Sequence, residues 1–144
     1  VLVESKEAGV HLAVSEDRFR LVFFQGHPEY DIISLLKEYK RDVMHYIKGE
    51  RAEYPPMPEN YFSLQSAAIL EEHKLQVMKA VKTGKTPPEL PEVLVTMRLD
   101  NTWHDTAEAV LNNWLGKVYQ ITNMDRRYPF QDHIDPNDPL GLKG

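Results

Sequence analysis

A chain of 144 residues with 42% apolar and 27% charged side chains has the size and balance of one ordinary globular domain, which excludes a disordered tail. Its net charge of -5, with basic residues scattered singly or in pairs, excludes an electrostatic footprint for a phosphate backbone, so nucleic acid is not expected as a partner. No run approaches the roughly 18 consecutive apolar residues of a membrane span, nothing at the start reads as a signal peptide, and there is no cysteine to form disulfides. A cytoplasmic protein without a membrane partner is therefore expected.

Three strand-like runs come first, Val1 to Val3, Val10 to Val14 and Leu21 to Phe24. Gly9 and the polar group Glu16, Asp17, Arg18 separate them, and the last two read as a hairpin ending at Gly26. The opening "VLVES" reads as a buried strand with no cap before it, so the chain is expected to be part of a longer protein. From Ile32 to Lys48 the period becomes helical: Ile32, Leu36, Tyr39, Val43 and Ile47 form one side, and Gly49 supplies the stop.

Pro55, Pro56 and Pro58 make Glu50 to Glu59 a loop or arm. Asn60 or Ser63 then caps a second helix to about Lys82, with Leu64, Ala67, Ala68, Leu75, Met78 and Val81 as an uneven apolar side. "TGKTPPELPE" breaks it; "TGKT" lacks the upstream glycine and strand of a phosphate loop and reads as a helix end turning at Gly84. Val93 to Leu99 is open between a short strand and a helical turn. Thr102 to Ile121 is the clearest helix, with Trp103, Ala107, Val110, Leu111, Trp114, Leu115 and Val118 as one wide stripe expected in the core. The tail from Thr122 reads as an irregular strap. Three strands are too few to cover all these helices, a second sign of a partial α/β fold.

The chemistry begins at "GHPEYD". In an extended chain residues two apart face one side, so His27 and Glu29 should project together, with Pro28 restricting His27 to extended backbone. A carboxylate beside an imidazole fixes its tautomer and stabilises the imidazolium, which is how a His-acid pair activates a nucleophile. The spacing alone also fits a strand end whose His and Glu bond to nearby backbone.

The longer strings "GHPEYDIISLLKEYKRDV", "ESKEAGV", "NYF" and "NTWHDTAEAVLNNWLGKVYQIT" resemble the homoserine O-acyltransferases of the homoserine O-succinyltransferase type. The resemblance implies the C-terminal part of a class I glutamine amidotransferase-like (flavodoxin-like) three-layer α/β fold, one domain whose 1–30 carries the last strands and His-x-Glu, 31–49 a helix, 50–101 a Pro-rich arm and helix, and 102–144 a core helix and tail. It implies transfer of a succinyl group from succinyl-CoA to L-homoserine through a cysteine thioester, in methionine biosynthesis. By the same resemblance His27 is the general base, Glu29 its orienter, Arg41 the grip on the substrate carboxylate and Glu38 the contact for the substrate ammonium. An exposed helix ion pair between Glu38 and Arg41 is the plain alternative. The nucleophilic cysteine of the family is missing from these residues, and they are expected to be inactive alone. Acetyl-CoA as donor, a glutamine amidotransferase and a non-catalytic interaction domain remain rival readings. CoA thioester is a co-substrate, and no cofactor is expected; a homodimer is expected of the intact protein.

Of the other histidines, His11, His45, His73, His104 and His133 lack companions at zinc-site spacing, so no metal is expected. His45 should lie on a helix surface and His104 near a helix start. Asp125, Arg126 and Arg127 read as a solvated cluster whose cations could touch CoA phosphates.

Overall fold

A computed structural model describes residues 1–142. In chain order the elements are β1 (Val3–Ser5), β2 (Gly9–Val14), β3 (Val22–Phe24), α1 (Ser34–Ile47), α2 (Leu64–Thr83), α3 (Glu92–Thr96) and α4 (His104–Ile121). This is an α/β chain, with four helices among the described residues where about three were expected; the added one is the short α3, which resolves the ambiguous Val93 to Leu99 as helical. The residues group into two compact units, Val1–Glu29 with the described residues from Trp103 onward, and Tyr30–Thr102.

In the first unit the strands form an antiparallel meander in the order β1-β2-β3. Leu12 stands opposite Phe24 and Val14 opposite Val22, so these apolar pairs share a face. The hairpin turn is organised by Asp17, whose Oδ1 accepts from the Ser15 hydroxyl at 2.5 Å and from the Phe19 and Arg20 amides at 3.1 Å. These bonds, the Ser15 hydroxyl foremost, hold its carboxyl below the usual range. Phe19, Ile121 and Phe130 form the buried cluster, with Val118, Ile134 and Leu140 packed on it. The irregular tail thus contributes side chains to a core, tied down by Arg20 Nη2 donating to the Pro136 carbonyl at 3.2 Å.

Two expectations fail in this unit. The opening residues are not a buried strand: Val1, Leu2 and Val3 are exposed, and β1 starts at Val3 on the sheet edge. The helix expected as core forms, but its stripe is not enclosed. Val110, Trp114 and Leu115 are exposed, and Ile121 alone in α4 is buried. The amphipathic period is real; what is lacking among the described residues of this unit is a surface to bury it.

In the second unit α1 buries Leu36, Tyr39 and Val43, as the spacing predicts. Its cover is aromatic: Phe62 meets the Tyr39 ring edge-on at 6.0 Å, and Tyr54 meets Tyr46 at 5.3 Å. Burial raises the Tyr39 and Tyr54 hydroxyls above the ordinary tyrosine value. Ser63, not Asn60, caps α2, its side chain accepting from the Ser66 amide at 3.1 Å, and Gly84 ends the helix in the left-handed conformation at φ 66°.

The buried side of α2 is Ser66, Leu70, His73, Val77 and Ala80, whereas Leu64, Leu75, Met78 and Val81 are exposed. The expected apolar side is therefore wrong: the true inward face includes the apolar Leu70, Val77 and Ala80, which it leaves out, together with two polar residues, Ser66 and His73. Each of these two has one partner, while the buried His73 Nδ1 has none among the described residues. Ser66 bonds to Ser63 at 3.1 Å, and His73 Nε2 donates to the Pro88 carbonyl at 3.2 Å.

Candidate active site

The strand β3 ends at Phe24, and Gly26 follows it beneath the His11 ring. A Cβ at Gly26 would come within 3.1 Å of His11 Cε1, a tight approach to which the exposed His11 ring would have to yield. His27 is next. Pro28 and Glu29 form a turn rather than the extended chain expected, yet the turn achieves the expected meeting.

His27 Nδ1 and Glu29 Oε1 are 2.7 Å apart, in a hydrogen bond the protonated Nδ1 donates. That bond, and then the Glu29 backbone amide, hold the Glu29 carboxyl below the ordinary carboxylate value. Both side chains are about three-fifths exposed, at 59% and 63%. An Nδ1–H given to a carboxylate leaves Nε2 as the basic nitrogen, the tautomer a general base requires.

A His-Glu hydrogen bond is not by itself diagnostic. His45 Nδ1 also meets Glu50 Oε2, at an exposed position on the last turn of α1. His45 does sit on the helix surface and His104 opens α4, as expected, the latter 3.9 Å from Glu108. Among the described residues no group of three metal-capable side chains gathers, and no helix is long and apolar enough to cross a membrane.

Glu38 and Arg41 belong to the second unit, on α1. They do not pair with each other: Glu38 Oε1 accepts from the Tyr30 hydroxyl at 2.7 Å, and Arg41 Nε donates to Asp42 Oδ1 at 3.2 Å. The plain ion-pair reading is thus not what the helix shows. Arg41 is 61% exposed on its side chain and edges a cleft of about 560 Å³ with Lys37, Lys40 and Leu36. Its terminal nitrogens, the bidentate fork of a guanidinium, hold no carboxylate among the described residues.

Two tyrosines support this helix start and were not singled out from the sequence. Tyr30 holds Glu38. Tyr61, inside "NYF", donates to the Ile32 carbonyl at 2.5 Å and accepts from the Leu36 amide at 3.3 Å. Both lie within strings that carry the resemblance, which was the signal available; their contacts span eight and 25 to 29 residues and leave no periodic trace.

A family model described as "HTS: Homoserine O-succinyltransferase" matches residues 1–124. The chain belongs to the homoserine O-succinyltransferase family. A protein of that name from Allochromatium vinosum is 66% identical over 142 residues, covering 99% of this chain and 40% of its own length. Namesakes from Thioalkalivibrio nitratireducens and Methylococcus capsulatus are 67% and 61% identical, over 97% and 99% of this chain and 39% and 40% of theirs. The chain therefore spans about 40% of the length of the curated relatives it matches. No solved structure matches. The family read from "GHPEYD" and its neighbours is thereby established, and within it the His27-Glu29 pair differs from His45-Glu50 in lying inside the string that carried the resemblance.

Proposed function

We propose that this chain supplies the general base and the acceptor-binding groups of a homoserine O-succinyltransferase with a glutamine amidotransferase-like fold. The observation that carries the reading is the 2.7 Å bond from His27 Nδ1 to Glu29 Oε1 at the foot of β3, inside the family match. His27 Nε2 takes the proton of a cysteine thiol, the thiolate attacks the carbonyl of succinyl-CoA, and the proton passes to the departing CoA thiolate. His27 then takes the proton of the L-homoserine hydroxyl, whose oxygen attacks the enzyme thioester. O-Succinylhomoserine leaves and the thiol is restored. Glu29 keeps the imidazole in the right tautomer and opposes its positive charge; Arg41 takes the homoserine carboxylate in a bidentate grip, and Glu38 the ammonium.

These 144 residues contain no cysteine, so the nucleophile would come from outside them, and a base without a nucleophile transfers nothing. The complete gene product incubated with succinyl-CoA alone should gain one succinyl group on a cysteine by mass spectrometry, and then lose it to homoserine. His27→Ala should abolish both steps. A faster reaction with acetyl-CoA, or ammonia released from glutamine instead, would overturn the assignment. The homodimer belongs to the same proposal and is read by sedimentation of that product.

A further inference from the structure

We propose that Tyr30 is a positioning residue for recognition of the acceptor's amino group: its hydroxyl fixes the Glu38 carboxylate in the orientation that receives the ammonium. The inference rests on the reading above that Glu38 meets that group.

The donor-acceptor distance from the Tyr30 hydroxyl to Glu38 Oε1 is 2.7 Å, the length of a good hydrogen bond to an ionised oxygen. Glu38 is only half-buried, and its other oxygen takes no partner among the described residues. One oxygen is thus held by the protein while the second is left for a ligand. A glutamate on a helix surface has three side-chain torsions to order. Fixing one oxygen before the substrate arrives removes most of that cost from binding.

Tyr30 is itself anchored. Asp31 Oδ1 accepts from the Ile33 amide at 3.0 Å and from the Ser34 hydroxyl at 2.9 Å, and the Asp31 carbonyl accepts from the Ser34 amide at 3.1 Å. The Ser34 hydroxyl, and then the Ile33 amide, keep the Asp31 carboxyl below its usual value. The segment carrying Tyr30 is therefore latched to the first turn of α1. The buried Tyr61 clamps that same turn through Ile32 and Leu36. Glu38 lies one turn further along the helix, so donor and acceptor stand on one braced element rather than on a loose loop. Tyr30 touches neither the reacting hydroxyl nor the thioester in this scheme, which is why its effect should fall on binding.

The test uses the complete gene product and two ligands, homoserine and 4-hydroxybutyrate, which keeps the carboxylate and hydroxyl but has no ammonium. In Tyr30→Phe the KM for homoserine should rise about tenfold, the size expected for one hydrogen bond to a charged group. The kcat should stay within about twofold, succinyl thioester formation should keep its wild-type rate, and the inhibition constant of 4-hydroxybutyrate as a competitor should not change. Glu38→Gln should raise the homoserine KM at least as much, and Tyr30→Phe added to it should cost nothing further. Equal losses for both ligands, slowed thioester formation, an unchanged homoserine KM or a variant that fails to fold would each overturn the proposal by making the hydroxyl structural or idle. A Glu38→Gln enzyme with an unchanged homoserine KM would instead overturn the underlying assignment of Glu38. The two failures are therefore distinct.

Discussion

The helices α1 and α4 have equally legible apolar stripes and opposite fates. Leu36, Tyr39 and Val43 of α1 are each under 5% exposed, while Trp114 and Leu115 of α4 are at 38% and 45%. The difference is one of partners. Phe62, Tyr54 and Tyr61 come back over α1 from the segment that follows it, whereas in α4 only Ile121 is buried, in the cluster with Phe19 and the tail, and Ala107, Leu111 and Val118 are half-buried. An amphipathic period states which side chains would gain from burial; it does not say whether a partner surface lies in the same stretch of chain. The candidate catalytic pair follows the second pattern, being exposed and contributing little to stability, so activity and folding should respond to different substitutions.

The largest expected effect separates those two quantities. Glu29→Gln in the complete gene product should keep the ring's neighbour in place but spoil the tautomer, lowering acyl transfer by about a thousandfold while leaving the melting temperature unchanged; a large loss of stability would make the pair structural. The reverse is expected in the second unit. Leu70→Ala on α2, where Leu70 is fully buried, should cost about 2 to 5 kcal/mol in denaturant unfolding. Against it, Trp114→Ala should cost about 1 kcal/mol in the 144-residue chain, as expected of a partly exposed side chain whose one hydrogen bond, to the Phe19 carbonyl, is a long 3.5 Å. Comparable losses at the two positions would erase the contrast between the helices.

The smallest effect is a titration. Because hydrogen bonding to His27 lowers the Glu29 carboxyl below its ordinary 4.5, the carboxylate's side of the pair should be fully present above that value and be lost as pH falls through the lowered one. Carbon NMR of Glu29 should show this, and His27→Ala should return the titration toward the ordinary value.

Much of this was readable before any coordinates. The meeting of His27 with Glu29 was expected, but through an extended chain the structure does not have; the buried face of α1, the cap at Ser63 as one of two choices and the turn at Gly84 all follow from short-range rules. The inward face of α2 did not: it mixes Leu70, Val77 and Ala80 with the polar Ser66 and His73, whose burial depends on Ser63 and on the Pro88 carbonyl. His45-Glu50 and Tyr30-Glu38 were also invisible, since a side-chain hydrogen bond depends on rotamers and on the path of the intervening loop.

By itself the amino-acid order determined the main breaks in the chain, its three long helices, and the family, through the compact string Gly26 to Val43. These are local matters, set by backbone sterics, caps and side-chain period. Only the tertiary structure decided which apolar stripes find cover, that a turn rather than an extended strand brings imidazole to carboxylate, and that Glu38 and Arg41 stand apart with different partners. Burial and side-chain hydrogen bonding are relations between distant parts of the chain, and they exist only once the chain has folded back on itself.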